Sequence, residues 1–80
     1  MIHPGQIEEI ITKNLECKFI KVNGDDGTHF EAIIVSESFI NQSQIKQHQL
    51  VYKSLGDMMK QEIHALSIKT YTPKQWENKK

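Results

Sequence analysis

The stretch from Ile63 to Trp76, Ile-His-Ala-Leu-Ser-Ile-Lys-Thr-Tyr-Thr-Pro-Lys-Gln-Trp, joins a short strand directly to the start of a helix. The helix-start signal consists of a capping residue, a proline at the first helical position and a box-closing amide: Thr72, Pro73 and Gln75. Tyr71 before the cap and Trp76 at the fourth helical position are spaced to pack as a hydrophobic staple. The tract therefore predicts a firmly held strand-to-helix junction, with His64 at the beginning of the strand.

The residues upstream of this tract predict one helix and two strands. A short amphipathic helix of about ten residues follows Pro4, and its apolar positions recur at helical spacing: Ile7, Ile10, Ile11 and Leu15. Residues 17–22 favour a first strand, and Asn23–Gly27 has the composition of a turn. Residues 30–35 alternate with apolar residues on both faces, which predicts a central second strand.

The longest helix is predicted at about residues 43–61. Residues in helical register predict its apolar stripe: Ile45, Tyr52, Leu55 and Met59, with Val51 and Met58 beside them. Gly56 is expected to weaken this helix locally, because glycine loses more conformational freedom than other residues in a helix.

This order of elements predicts the topology. A strand, a long helix and another strand form a crossover unit, so the third strand, at about residues 65–71, is expected to run parallel to the second. The prediction is an α+β fold of order αββαβα, with a three-stranded mixed sheet and the helices packed on one face. Eighty residues predict a single domain covering residues 1–80.

The amino-acid composition indicates which class of protein this chain belongs to. With 38% hydrophobic and 25% charged residues, the chain has the composition of a globular domain. It has no apolar run of about 18 residues, which a membrane span requires, and its beginning lacks the pattern of a signal peptide. The single Cys17 cannot form an internal disulfide. We therefore expect a cytoplasmic protein, without membrane association, that is a monomer or a weak dimer when free.

Charge is distributed unevenly along the chain. The formal net charge is zero, but residues 1–42 carry three lysines and seven acids, whereas residues 43–80 carry seven lysines and three acids. The two parts thus have formal charges of −4 and +4. This asymmetry either orients a partner electrostatically or reflects solvated helix surfaces that differ in composition.

Histidine is the residue type most suited to chemistry in this chain. His3 is near the terminus, and His48 is expected to be half-buried on the long helix with a local hydrogen bond. His29 and His64 precede the second and third strands. Because parallel strands begin at the same edge of a sheet, these two imidazoles are expected on one side of the domain, where neutral imidazoles can bind a metal.

Three tracts carry a resemblance to a known family: Gly27–Phe30, Phe39–Tyr52 and Ile63–Trp76. In this order and spacing they resemble the BolA family over nearly the whole chain. The resemblance implies a fold like that of a type II KH domain. It also implies that the chain pairs with a monothiol glutaredoxin and shares a two-iron two-sulfur cluster with it.

The resemblance further implies how such a cluster is held. The glutaredoxin contributes a cysteine and its bound glutathione a second thiolate, so this chain alone holds no cofactor. The family's C-terminal ligand histidine matches His64. The family's other ligand is a cysteine or histidine from the loop between the first two strands, and His29 is the residue of either type that borders this loop. The implied function is a non-enzymatic adaptor in iron-sulfur trafficking or iron sensing, with His64 and His29 as metal ligands.

A nucleic-acid-binding transcriptional regulator is the alternative. Lys46, Lys53 and Lys60 are spaced by seven residues, which places them on one face of the long helix. Against this alternative, the chain has no Gly-x-x-Gly loop of the KH type in the expected place, and Gln47 stands where an arginine is common in the family. An enzyme is disfavoured, because the sequence has no Cys-x-x-Cys motif, nucleophile elbow or phosphate loop.

Overall fold

The computed structural model describes residues 2–24, 29–57 and 65–79. The helices and strands, in chain order, are α1 (Pro4–Asn14), β1 (Phe19–Asn23), β2 (His29–Val35), a 3₁₀ turn (Glu37–Phe39), α2 (Gln44–Leu55), β3 (Ala65–Tyr71) and α3 (Pro73–Lys79). This arrangement confirms the predicted α+β class. None of the described helices is long and apolar enough to cross a membrane.

The three strands form one mixed sheet in the order β1-β2-β3. β1 is antiparallel to β2, and their register pairs Phe19 with Val35. β2 is parallel to β3, from the pair His29 and Ala65 at one end to Val35 and Tyr71 at the other. The central position of β2 and the parallel crossover through α2 are both confirmed.

One face of the sheet is covered by α1 and α2. Alternate residues of each strand point to this face and are buried there, namely Val22, Phe30, Ala32, Ile34 and Leu66. The helices contribute Ile7, Ile11, Val51 and Leu55 to the same core. The outer strand β1 is also tied to α1, because a carboxylate oxygen of Glu8 accepts the backbone N–H of Val22 at 2.9 Å.

The long helix differs from its prediction in length and in its buried face. α2 ends at Leu55, and Gly56 has φ of 59°, a left-handed conformation that glycine adopts at low cost and that ends the helix. Ile45, assigned to the apolar stripe, is 71% exposed. Tyr52, from the same predicted stripe, is 38% exposed, whereas Val51 and Leu55 are buried as predicted. Two polar residues, Gln47 and Ser54, complete the buried face. Met58 and Met59 lie outside the described residues.

The C-terminal junction has the predicted geometry. Thr72 Oγ1 accepts the backbone N–H of Gln75 at 3.2 Å, and Gln75 Oε1 accepts that of Thr72 at 2.9 Å. The ring centroids of Tyr71 and Trp76 are 5.4 Å apart, and Trp76 also stacks on Phe19 at 5.1 Å. Phe19 and Tyr71 alternate away from the core face, so α3 packs at one end of the opposite face rather than with α1 and α2.

Gln47 connects α2 to two other parts of the fold. Its amide nitrogen donates to the carbonyl oxygens of Phe39 at 3.2 Å and Gln42 at 3.0 Å. Its amide oxygen accepts from the hydroxyl of Thr70, on β3, at 2.6 Å. Gln47 and Thr70 are both 7% exposed, so these bonds satisfy polar groups with little access to water. This amide therefore fixes α2 against the sheet.

Replacing Gln47 by leucine is expected to destabilise the fold. The Gln47→Leu variant should lose about 1 to 3 kcal/mol of unfolding free energy, because the Thr70 hydroxyl and two carbonyls lose their partner. The double variant, Gln47→Leu with Thr70→Val, should lose less unfolding free energy than the sum of the two single variants, since both changes remove the same hydrogen bond. Urea unfolding followed by circular dichroism measures both effects. Gln49→Leu, at an exposed position of α2, is the control. If Gln47→Leu were as stable as Gln49→Leu, this role of Gln47 would be contradicted.

Candidate functional site

His29 lies where two parallel strands begin. It is the first residue of β2, it is exposed, and its backbone pairs with Ala65, the first residue of β3. His64 immediately precedes Ala65 in the sequence and lies outside the described residues. The predicted juxtaposition of strand starts is therefore observed, with His29 at this edge of the sheet.

A concavity of about 390 Å³ opens beside His29. Its lining comes from the end of β1 and the beginnings of β2 and β3: Asn23, Gly24, His29, Phe30, Glu31, Ala65 and Ser67. Apart from His29, none of these residues is predicted from the sequence to belong to a functional site. Strand alternation is the sequence signal that could have placed some of them on the exposed face of the sheet. Asn23, Glu31 and Ser67 lie side by side in the sheet register and are all exposed.

Gly24 is packed closely at the wall of this concavity. A Cβ atom built on Gly24 would overlap the ring of Phe30, lying 2.8 Å from its Cε1 atom, and would lie 3.0 Å from the carbonyl oxygen of His29. Phe30 is 2% exposed and therefore has little room to move. The chain leaving β1 can pass this close to the start of β2 because residue 24 has no side chain.

Cys17 lies in a partly buried environment beside the core. Its thiol donates to the carbonyl oxygen of Leu15 at 3.3 Å. Burial raises the pKa of the Cys17 thiol, and the nearby negative charge of Glu16 raises it further. Both effects favour the protonated thiol over the thiolate that metals bind.

His48 agrees with its structural interpretation. It is half-buried on α2, and its Nε2 atom lies 3.5 Å from the side-chain amide nitrogen of Gln44, one helical turn earlier. Within residues 2–24, 29–57 and 65–79, no group of three or more His, Cys, Asp or Glu side chains is arranged to hold a metal ion.

The lysines proposed for nucleic-acid binding lie on α2. Lys46 and Lys53 are both exposed and line one concavity of about 430 Å³, together with Gln42 and Gln49. The seven-residue spacing therefore places these two lysines on one surface, as predicted. Lys60 lies outside the described residues.

Comparison with known proteins identifies the family. A family model described as BolA-like protein matches residues 9–75, most of the chain and all of its sheet. The chain belongs to the BolA family. The resemblance in the tracts around the second strand, α2 and the third strand is thereby confirmed.

Relatives match this BolA chain over most of their length. The acid stress protein IbaG of Escherichia coli K12 is 39% identical over 73 residues, which cover 90% of this chain and 86% of IbaG. A DNA-binding transcriptional regulator BolA of Haemophilus influenzae is 30% identical over 79 residues, covering 88% and 77%. The structure of a BolA homologue from Coxiella burnetii has a TM-score of 0.84 and 39% identity, covering 96% of this chain and 99% of that one.

Substitution of Gly24 is expected to disturb the wall beside His29. Gly24→Ala should lower the unfolding free energy by about 1 to 3 kcal/mol, because the new methyl group overlaps a buried ring. Gly5→Ala is the matched control: no atom lies within 4 Å of its added Cβ, and α1 should gain up to about 1 kcal/mol. Urea unfolding of both variants tests the difference, and a Gly24→Ala protein as stable as Gly5→Ala would contradict this packing.

Proposed function

We propose that this protein is a non-enzymatic adaptor that binds a monothiol glutaredoxin and contributes imidazole ligands to a shared two-iron two-sulfur cluster. Membership of the BolA family supports this class of function. The observation that carries the proposal is the parallel pairing of His29 with Ala65, which brings an exposed histidine next to the start of β3. His64 is one residue away from Ala65 in the sequence.

The donor chemistry at this edge fits a shared cluster. Imidazole nitrogen is an established ligand of iron in clusters of this type. His29 is exposed at the rim of an open concavity, so an iron atom held by a second protein can approach it. The cluster supplies redox and iron-transfer chemistry when bound, whereas this chain supplies ligands and a docking surface.

The remaining ligands in this proposal come from the partner. The glutaredoxin provides a cysteine thiolate and its bound glutathione provides a second, while His64 and His29 complete the set. Cys17 is not assigned as a ligand, because its thiol is partly buried and its pKa is raised by burial. We place this adaptor in the cytoplasm, where a reducing environment keeps thiolates available.

Nucleic-acid binding is a second candidate, and two observations favour it. Lys46 and Lys53 are exposed on one surface of α2, where both can contact phosphates. Relatives of this chain from Haemophilus influenzae and Vibrio cholerae are described as DNA-binding transcriptional regulators. In this proposal the lysines, including Lys60, contribute affinity through charge, and the protein acts as a regulator.

The adaptor proposal predicts a coloured complex that depends on two histidines. Mixing the protein with cluster-loaded glutaredoxin should change the visible absorption and circular dichroism of the cluster, because imidazole replaces another ligand on iron. His64→Ala should abolish this change, and His29→Ala should alter it. A wild-type spectrum from His64→Ala would remove His64 from the ligand set.

His48→Ala and His3→Ala are matched controls for these spectra. Both remove an imidazole from a position outside the edge where β2 and β3 begin, and both should leave the spectrum of the complex unchanged. If all four alanine variants gave the same loss, the effect would reflect general destabilisation rather than ligation.

The nucleic-acid proposal predicts a salt-dependent interaction. Binding of duplex DNA, measured by fluorescence anisotropy, should weaken steeply with salt concentration, and Lys46→Ala combined with Lys53→Ala should lower the logarithmic salt slope by about 2. Lys13→Ala combined with Lys74→Ala, at exposed positions of α1 and α3, is the matched control. Absence of binding at low salt would exclude this candidate.

A further inference from the structure

The open face of the sheet continues away from His29 as a groove. The concavity beside His29 and a second one of about 90 Å³ share Asn23, Glu31 and Ser67 in their walls, so they adjoin each other. The second concavity extends the lining to Ile33 and Lys69. We call this continuous surface, from His29 to Lys69, the open-face groove.

Two positively charged side chains flank an apolar side chain at one end of this groove. In the sheet register Lys21 and Lys69 flank Ile33, and both lysines are exposed whereas Ile33 is partly buried. Neighbouring strands are about 4.8 Å apart, which places the backbones of the two lysines about 10 Å apart across the sheet. The next row towards His29 carries the carboxylate of Glu31. The end remote from His29 therefore has two positive charges around one apolar residue.

Packed side chains close the groove at the end remote from His29. The row beyond Ile33 holds Val35, which is 1% exposed, and Tyr71, against which Trp76 packs. The reverse side of the sheet is covered by α1 and α2. A partner that binds at His29 can therefore also contact the open face of the sheet, which adjoins His29. Ile33 lies four positions after His29, a distance of about 13 Å along β2.

We infer that the glutaredoxin docks along the open-face groove and presents acidic side chains to Lys21 and Lys69 and an apolar side chain to Ile33. This inference rests on the proposed adaptor function and names the surface that the partner covers. Charge complementarity identifies the partner's chemistry, because two exposed lysines around an apolar residue match an acidic rim around an apolar contact. His29 then lies at the margin of the contact, facing the partner's cluster.

Charge reversal at the two lysines separates docking from ligation. The dissociation constant for cluster-loaded glutaredoxin, measured by isothermal titration calorimetry in 50 mM NaCl, should rise about tenfold for Lys21→Glu and for Lys69→Glu. The increase should shrink in 500 mM NaCl, since salt screens exposed charges. At saturating concentrations both variants should give the wild-type visible spectrum, because the ligand histidines are unchanged.

Lys13→Glu is the matched control, because Lys13 is exposed on α1, which packs against the face of the sheet opposite the groove. It should change the dissociation constant less than twofold. If the complex forms and Lys21→Glu and Lys69→Glu bind like Lys13→Glu, the docking inference is wrong and the adaptor function stands. If the wild-type protein neither binds glutaredoxin nor alters its cluster spectrum, the adaptor function and the docking inference are both overturned.

Discussion

Parallel pairing between β2 and β3 is the constraint on which the rest of this molecule depends. A parallel pair needs a crossover connection, and the chain supplies α2 within that connection, so the helix covers one face of the same two strands it joins. The same pairing aligns the two strand starts, which puts His29 beside Ala65. The core and the candidate site are therefore two consequences of one register.

The two faces of the sheet have separate roles because of this arrangement. One face is packed against α1 and α2 and provides the hydrophobic core. Among the described residues, the other face is covered at the end where Trp76 contacts Phe19 and Tyr71, and its other side chains are exposed except the partly buried Ile33 and the buried Val35. The proposed ligation site lies at the edge between these faces, so a partner can contact it without disturbing the core.

Sequence patterns predicted the elements with local signals and failed where tertiary packing decided the outcome. The junction around Thr72 followed from its capping box and staple, which involve neighbouring residues. The predicted buried face of α2 was right at Val51 and Leu55 but wrong at Ile45, which hydrophobic periodicity favours. The structure instead buries Gln47, which bonds Thr70 and two carbonyls. Such a buried amide has no signature in a hydropathy pattern. His29 could be proposed as a ligand from the sequence because ligand chemistry is visible in residue type, whereas the groove that adjoins it depends on the register of three strands.

The carboxylate of Glu8 has a consequence for self-association. A sheet of three strands has two outer edges, and an exposed edge offers backbone N–H groups to which a strand from another molecule can add. Because Glu8 accepts the N–H of Val22, one donor on the rim of β1 is already engaged by the protein's own first helix. Addition of a strand from another molecule along β1 would have to break this hydrogen bond. The first helix therefore opposes edge-to-edge association of sheets, in addition to packing against the core.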